Sequence, residues 1–142
     1  MRLALFDTSV YIAALRGGND GVMTVRRLDS GSLVWLSAVV LEELYAGAGE
    51  HARRVIERLE RDFDRANRIL VPNLGDWAEA GRVLSRLAAG YDYEQIGHGR
   101  LTNDALIAMS AARLGITVIT TSDRDFRRLA EFHAFQWQVT TI

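Results

Sequence analysis

Cysteine is absent from this 142-residue chain, and so is lysine. Without cysteine there is neither a disulfide framework nor a thiolate metal site. Without lysine, a P-loop has no side chain for its phosphates, and Schiff-base catalysis has no amine. All 17 basic residues are therefore arginines, and 18 acids bring the net charge to −1. That balance argues against strong non-specific coating of DNA. It leaves a nuclease open, because an acidic metal site offsets a basic substrate track elsewhere. Proline occurs once, at Pro72. No run of 18 uncharged apolar residues exists, so no membrane span is expected. Arg2 is followed by only four apolar residues before Asp7, which predicts no secretory leader and a cytoplasmic protein.

What is present is a chain that is 49% apolar, enough for a core in one domain spanning residues 1–142. Short apolar runs alternate with helical periodicity, the grammar of an α/β fold with a mainly parallel sheet. Strands are expected at 2–6, 33–36, 68–71, 116–120 and 136–139, the last at an edge. Between them, a helix is expected from Thr8 or Ser9 to Leu15. A turn over 17–21 and a second helix carrying Val22, Val25 and Leu28 follow. Ser37 caps a helix from Ala38 to Ala46. Ala52, Ile56, Leu59, Phe63 and Ala66 give one apolar stripe over 50–67. Trp77, Ala80, Leu84 and Leu87 mark another helix ending at Gly90. Residues 91–100 lack periodicity and read as a loop. Thr102 is expected to cap an apolar helix over 103–114, and a short helix follows from Asp123 to Phe132.

Two strands end in the same way. Leu3-Ala4-Leu5-Phe6 runs into Asp7-Thr8-Ser9, and Ile116-Thr117-Val118-Ile119-Thr120 runs into Thr121-Ser122-Asp123-Arg124-Asp125. Ligands of open parallel sheets bind beyond the carboxyl ends of the strands, so both segments deliver acids to one rim. Thr8 and Ser9 can cap the first helix, which leaves Asp7 free for ligation or catalysis. Glu43 has Val39, Val40, Ala46 and Gly47 as helical neighbours, so its carboxylate would be buried without an obvious partner. Glu42 lies about 100° round the helix and faces solvent. Asp104 opens a helix that is apolar almost all round, and so points into protein. Of Asp123 and Asp125, one is expected to serve only as a cap. Asp123 is favoured as the site residue because it is nearer the strand end.

Carboxylates without cysteine or a histidine pair suit a hard cation, magnesium or manganese rather than zinc. Such an ion positions and acidifies water and neutralises phosphate charge, so phosphodiester hydrolysis is the implied chemistry. His51, His98 and His133 are poorly placed as bases. Arginine suits phosphate through its planar donor fork. Arg100, beside the acid-bearing helix, and Arg124, between two acids, are the candidate substrate contacts. The cluster Arg53, Arg54, Arg58, Arg61 and Arg65 reads as a salt-bridged surface face.

With these residues assembled, the chain resembles the PIN-domain family, specifically VapC-type toxins of bacterial toxin–antitoxin pairs. The resemblance rests on four segments in order: Phe6-Asp7-Thr8-Ser9-Val10, Val40-Leu41-Glu42-Glu43-Leu44-Tyr45-Ala46-Gly47, Asn103-Asp104-Ala105-Leu106-Ile107-Ala108, and Thr120-Thr121-Ser122-Asp123-Arg124-Asp125-Phe126. It implies a three-layer α/β/α sandwich around a five-stranded sheet and a Mg2+- or Mn2+-dependent ribonuclease. The family's four acids fall on Asp7, Glu43, Asp104 and Asp123, with Asp125 adjacent. Ser9 and Thr121 are the expected supporting hydroxyls. The family also implies a homodimer and a cognate VapB-type antitoxin. An aspartyl-phosphate phosphatase is disfavoured, since Ser9 stands where its second aspartate belongs. The remaining alternatives are a DNA-cutting relative and an inactive module that only binds RNA or protein.

Overall fold

The computed structural model describes residues 1–17, 31–91 and 100–141, the Arg100 side chain excepted. The helix expected at 22–28, most of the 17–21 turn and most of the 91–100 loop lie outside the described residues.

The first strand, β1 (Arg2–Phe6), buries Ala4, Leu5 and Phe6 almost completely. A strand apolar on both faces belongs at the centre of a parallel sheet covered on both sides, and β1 occupies the centre. It pairs in parallel with β2 (Ser32–Ser37) on one side and β4 (Thr117–Thr120) on the other. β3 (Ile69–Leu70) and β5 (Trp137–Val139) complete the sheet as its two edges, in the order β3-β2-β1-β4-β5. All four pairings are parallel.

Among the described residues, the helices are α1 (Thr8–Arg16), α2 (Ala38–Gly47), α3 (Glu50–Arg65), α4 (Leu74–Gly90), α5 (Arg100–Leu114) and α6 (Arg124–Ala130). From β1 the chain steps outward through β2 to β3, then returns across the sheet to β4 and β5. Right-handed crossovers then put α1, α2 and α3 on one face and α4, α5 and α6 on the other. Within each group the helices pack together, α1 with α2, α2 with α3, and α4, α5 and α6 with one another, while α2 also meets α5 across the division. The strand order reverses between β1 and β4, so the switch point lies beside Asp7.

Local chemistry explains the helix ends. The Ser37 hydroxyl accepts the Val39 N–H and caps α2, as its position suggests. α3 stops at Arg65, two residues before the end expected from its stripe. Asn67 takes a left-handed φ of 57°, and the Arg68 N–H reaches back to the Phe63 carbonyl at 2.9 Å. That closure leaves Ala66 exposed. Gly115, at φ 67°, ends α5 in the same manner, with Ile116 N–H bonded to the Ala111 carbonyl at 2.9 Å.

Two expectations are corrected here. Thr102 does not cap α5, which begins at Arg100 and buries Leu101 within its first turn. Trp77 is not a core residue of α4 but is 55% exposed, because the inward position is taken by Asp76. Asp76 exchanges hydrogen bonds with Asn73 at the start of α4. Its two carboxylate oxygens also each lie 3.1 Å from Arg113 Nε on α5. A polar clamp thus holds two helices where periodicity alone suggests tryptophan. Among the described residues, no helix is long and apolar enough to cross a membrane.

Candidate active site

Asp7 occupies the N-cap position of α1, yet its side chain makes no capping bond. Its backbone N–H continues the β1–β4 pairing by donating to the Ile119 carbonyl at 2.8 Å. The carboxylate is only 6% exposed and turns towards β4. There the Ser9 and Thr120 hydroxyls both donate to its Oδ2, each at 2.9 Å. Each hydroxyl is itself fed by a peptide N–H of the turn after β4. Ser122 N–H donates to Thr120 Oγ1 at 3.0 Å, and Thr121 N–H donates to Ser9 Oγ at 3.2 Å. Such chains polarise one another. They fix one oxygen of Asp7 and leave Oδ1 for the space in front of it.

That space is a cleft of about 410 Å³ at the carboxyl ends of β1 and β4. Asp7, Glu43, Asp104 and Asp125 all line it, from α1's start, α2, α5 and α6 respectively. Glu43 is half-buried while Glu42 is exposed. The Thr8 hydroxyl donates to Glu43 Oε1 at 2.7 Å, so the glutamate is oriented across the gap between α1 and α2. Asp104 sits in the second turn of α5, since the helix starts earlier than expected. The helix dipole acts mainly within the first turn, so it does not account for an acid there.

Sequence favours Asp123 over Asp125, and of the two it is Asp125 that lines the cleft. Asp123 is at the N-cap position of α6, pairs with the Arg127 side chain four residues on, and does not line the cleft. Asp125 does, two residues further on in the first turn of α6, with its carboxylate 21% exposed. The first turn of α6 directs Asp125 to the cleft and Asp123 to Arg127. Thr121 lines the cleft, but it is Thr120, fully buried, whose hydroxyl holds Asp7. Thr120 had a legible signal: a hydroxyl at the end of a buried strand needs a partner. Arg124 pairs with Asp125 at 3.5 Å and is not a lining residue. The Arg100 side chain lies outside the described residues. Arg16, which the sequence did not single out, is the one basic residue lining the cleft among the described residues.

The donor set is all oxygen and strongly anionic, four carboxylates against one guanidinium. Among the described residues, no three acidic or histidine side chains converge tightly enough to ligate one ion together. Asp7 and Glu43 are instead satisfied by hydroxyls. Magnesium does not require such a triad, since it keeps several waters and uses one or two carboxylates. The residues therefore fit a largely hydrated hard cation.

Comparison with known proteins agrees with this architecture. The PIN domain profile matches residues 4–132, and the chain belongs to the PIN-domain family, a family of nucleases. Solved structures with the same fold include a chain of the DNA-bound VapBC complex from Salmonella typhimurium. The two share 20% identity at a TM-score of 0.68, over 98% of each chain. VapBC-1 from nontypeable Haemophilus influenzae is 25% identical, with a TM-score of 0.64 over 96% of this chain and 97% of that one. VapBC-5 from Mycobacterium tuberculosis, described as a member of the VapBC family of toxin–antitoxin systems, is 24% identical over the full length of both chains, with a TM-score of 0.61. No match is found among curated proteins.

Proposed function

We propose that this protein is a VapC-type toxin, a Mg2+- or Mn2+-dependent endoribonuclease held in check in the cytoplasm by a cognate VapB-type antitoxin. The observation that carries the reading is the convergence of Asp7, Glu43, Asp104 and Asp125 on one cleft at the sheet's switch point. They come from four distant segments, and a hydrated divalent cation would offset the negative charge they bring to one cleft. Family membership and the VapBC structures support the same reading. Homodimer formation belongs to the proposal as well.

A divalent ion bound among these acids would acidify water and neutralise charge on the phosphate under attack. The chain's own part is positioning. Ser9 and Thr120 hold Asp7 Oδ2, which fixes the plane of its carboxylate and presents Oδ1. Thr8 holds Glu43 against the same cleft from the opposite side. Asp104 and Asp125 close it from the other face of the sheet. The expected products are a 5′ phosphate and a 3′ hydroxyl on single-stranded RNA.

The test is to purify the protein without its antitoxin and incubate it with total RNA. Defined cuts should appear with Mg2+ or Mn2+, vanish with chelator, and be lost in Asp7→Asn. Cutting that ignores chelator, or that persists at full rate in Asp7→Asn, removes the proposal.

A further inference from the structure

Among the described residues, the cleft is lined by one cation that the catalytic scheme does not use, Arg16. Ser9, Ile12, Ala13 and Arg16 all line it from α1. Their spacing of three, one and three puts them on one helix face. This strip begins at the acids and ends at Arg16, seven residues further on, roughly 10 Å along the helix axis. Arg16 is exposed and forms no ion pair with a described residue. Were its role to neutralise the carboxylates, it would pair with one of them. Arg124 does so with Asp125. Arg16 instead leaves its donor fork available beyond the acids. Between the two ends stands Ile12, 39% exposed, an apolar side chain that lines the cleft on this strip while the other large apolar lining residue, Phe126, is buried.

We propose that this face of α1 is the substrate track of the nuclease: Arg16 grips a backbone phosphate next to the scissile one, and Ile12 supports the base or ribose between them. The assignment rests on the nuclease reading and adds to it where the strand runs. An anion, a short apolar element and a second anion in sequence match a single-stranded nucleic acid laid along α1 from Asp7 outwards. The guanidinium suits a phosphate by its bidentate fork, and phosphate contacts of this type set register and affinity rather than sequence choice. Arg16 would also favour the negative end of the α1 dipole wherever it pointed. That role predicts an effect on stability and none on substrate.

The experiment uses a labelled RNA oligonucleotide spanning a cut mapped in total RNA. Steady-state cleavage is followed for the wild type, Arg16→Ala, Arg16→Glu and Arg16→Lys across a salt series. KM is expected to rise about tenfold in Arg16→Ala, the loss of one charge-assisted contact, and further in Arg16→Glu. Arg16→Lys should recover part of the loss, with kcat within about twofold of wild type in all three. The slope of log(kcat/KM) against log salt should become shallower by about 0.7 in Arg16→Ala, the value for one phosphate contact on a single strand. Ile12→Ser, which changes no charge, should raise KM without altering that slope. If the wild type cuts RNA and Arg16→Glu keeps its KM and salt slope, the track is overturned while the nuclease reading stands. If the wild type cuts no RNA with either ion, both fall.

Discussion

Removing the Thr120 hydroxyl tests the site through one atom. In Thr120→Val the side chain keeps its shape and its place in β4 but loses the donor to Asp7 Oδ2 at 2.9 Å. It also loses the acceptor for Ser122 N–H at 3.0 Å. A hydrogen bond to a charged group contributes about 1.5–3 kcal/mol. Ser9 still donates to the same oxygen, so the carboxylate is not orphaned and the lower part of that range applies. Ser122 is exposed, so water takes over its N–H at little cost. The expected destabilisation is about 2 kcal/mol, a factor of about 30 in the folded-to-unfolded ratio. Urea unfolding reads it as a lower midpoint at unchanged slope. Cleavage should fall roughly 10- to 100-fold, the usual cost of losing a partner that orients a metal-binding carboxylate. Thr120→Ser should restore both. In an Asp7→Asn background the valine should cost only about 1 kcal/mol, because the acceptor is then neutral. Unchanged stability and cleavage in Thr120→Val would show that the hydroxyl does not hold Asp7, and the positioning argument would collapse.

Asp125→Asn is expected to reduce cleavage by at least about tenfold, whereas Asp123→Asn leaves it within about twofold; the reverse order in a side-by-side assay returns the fourth position to Asp123. Arg113→Met leaves Asp76, only 5% exposed, without its guanidinium. It should destabilise the fold by about 3 kcal/mol in urea with little change in activity per folded molecule, and an unchanged midpoint would refute the clamp. Tyr45 donates to Glu60 Oε1 at 2.6 Å, and burial, then that bond, push its phenol up to about 12. A phenol whose pKa is raised on folding adds stability that is complete below pH 10 and is lost as pH rises from 10 to 12. Tyr45→Phe should flatten that alkaline decline, measured by urea midpoints across the window; an unaltered slope would exclude the tyrosine as its source.

The fold was readable because its signals were local and strong. β1 announces itself as an apolar run ending in an acid, and Ser37 marks the start of α2 by its hydroxyl. Three of the acids that meet in the cleft, Asp7, Glu43 and Asp104, were identified from their surroundings on a strand end or a helix face. What local pattern did not carry depended on rotation or on distant partners. Asp123 and Asp125 differ by two residues, and only the pitch of α6's first turn decides which faces inward. Trp77 matched the apolar period of α4, but Asp76 displaced it through an arginine 37 residues away, which no local pattern contains. Thr121, expected as a supporting hydroxyl, lines the cleft, but the hydroxyl that reaches Asp7 is that of Thr120 at the end of β4, a contact made across 113 residues. Arg16 carries no local sign, because its place at the cleft depends on which face α1 turns towards acids from other segments.

The clasp on Asp7 joins the first strand to the turn that follows the fourth, residues more than a hundred positions apart. A chain interrupted before that turn carries the first aspartate without anything to aim it, and lacks the last carboxylate altogether. On the nuclease reading, a partly synthesised, nicked or locally melted copy is harmless. Potency and structural integrity become a single variable, and any agent that loosens the junction of β1 with β4 disarms the molecule as surely as blocking its cleft.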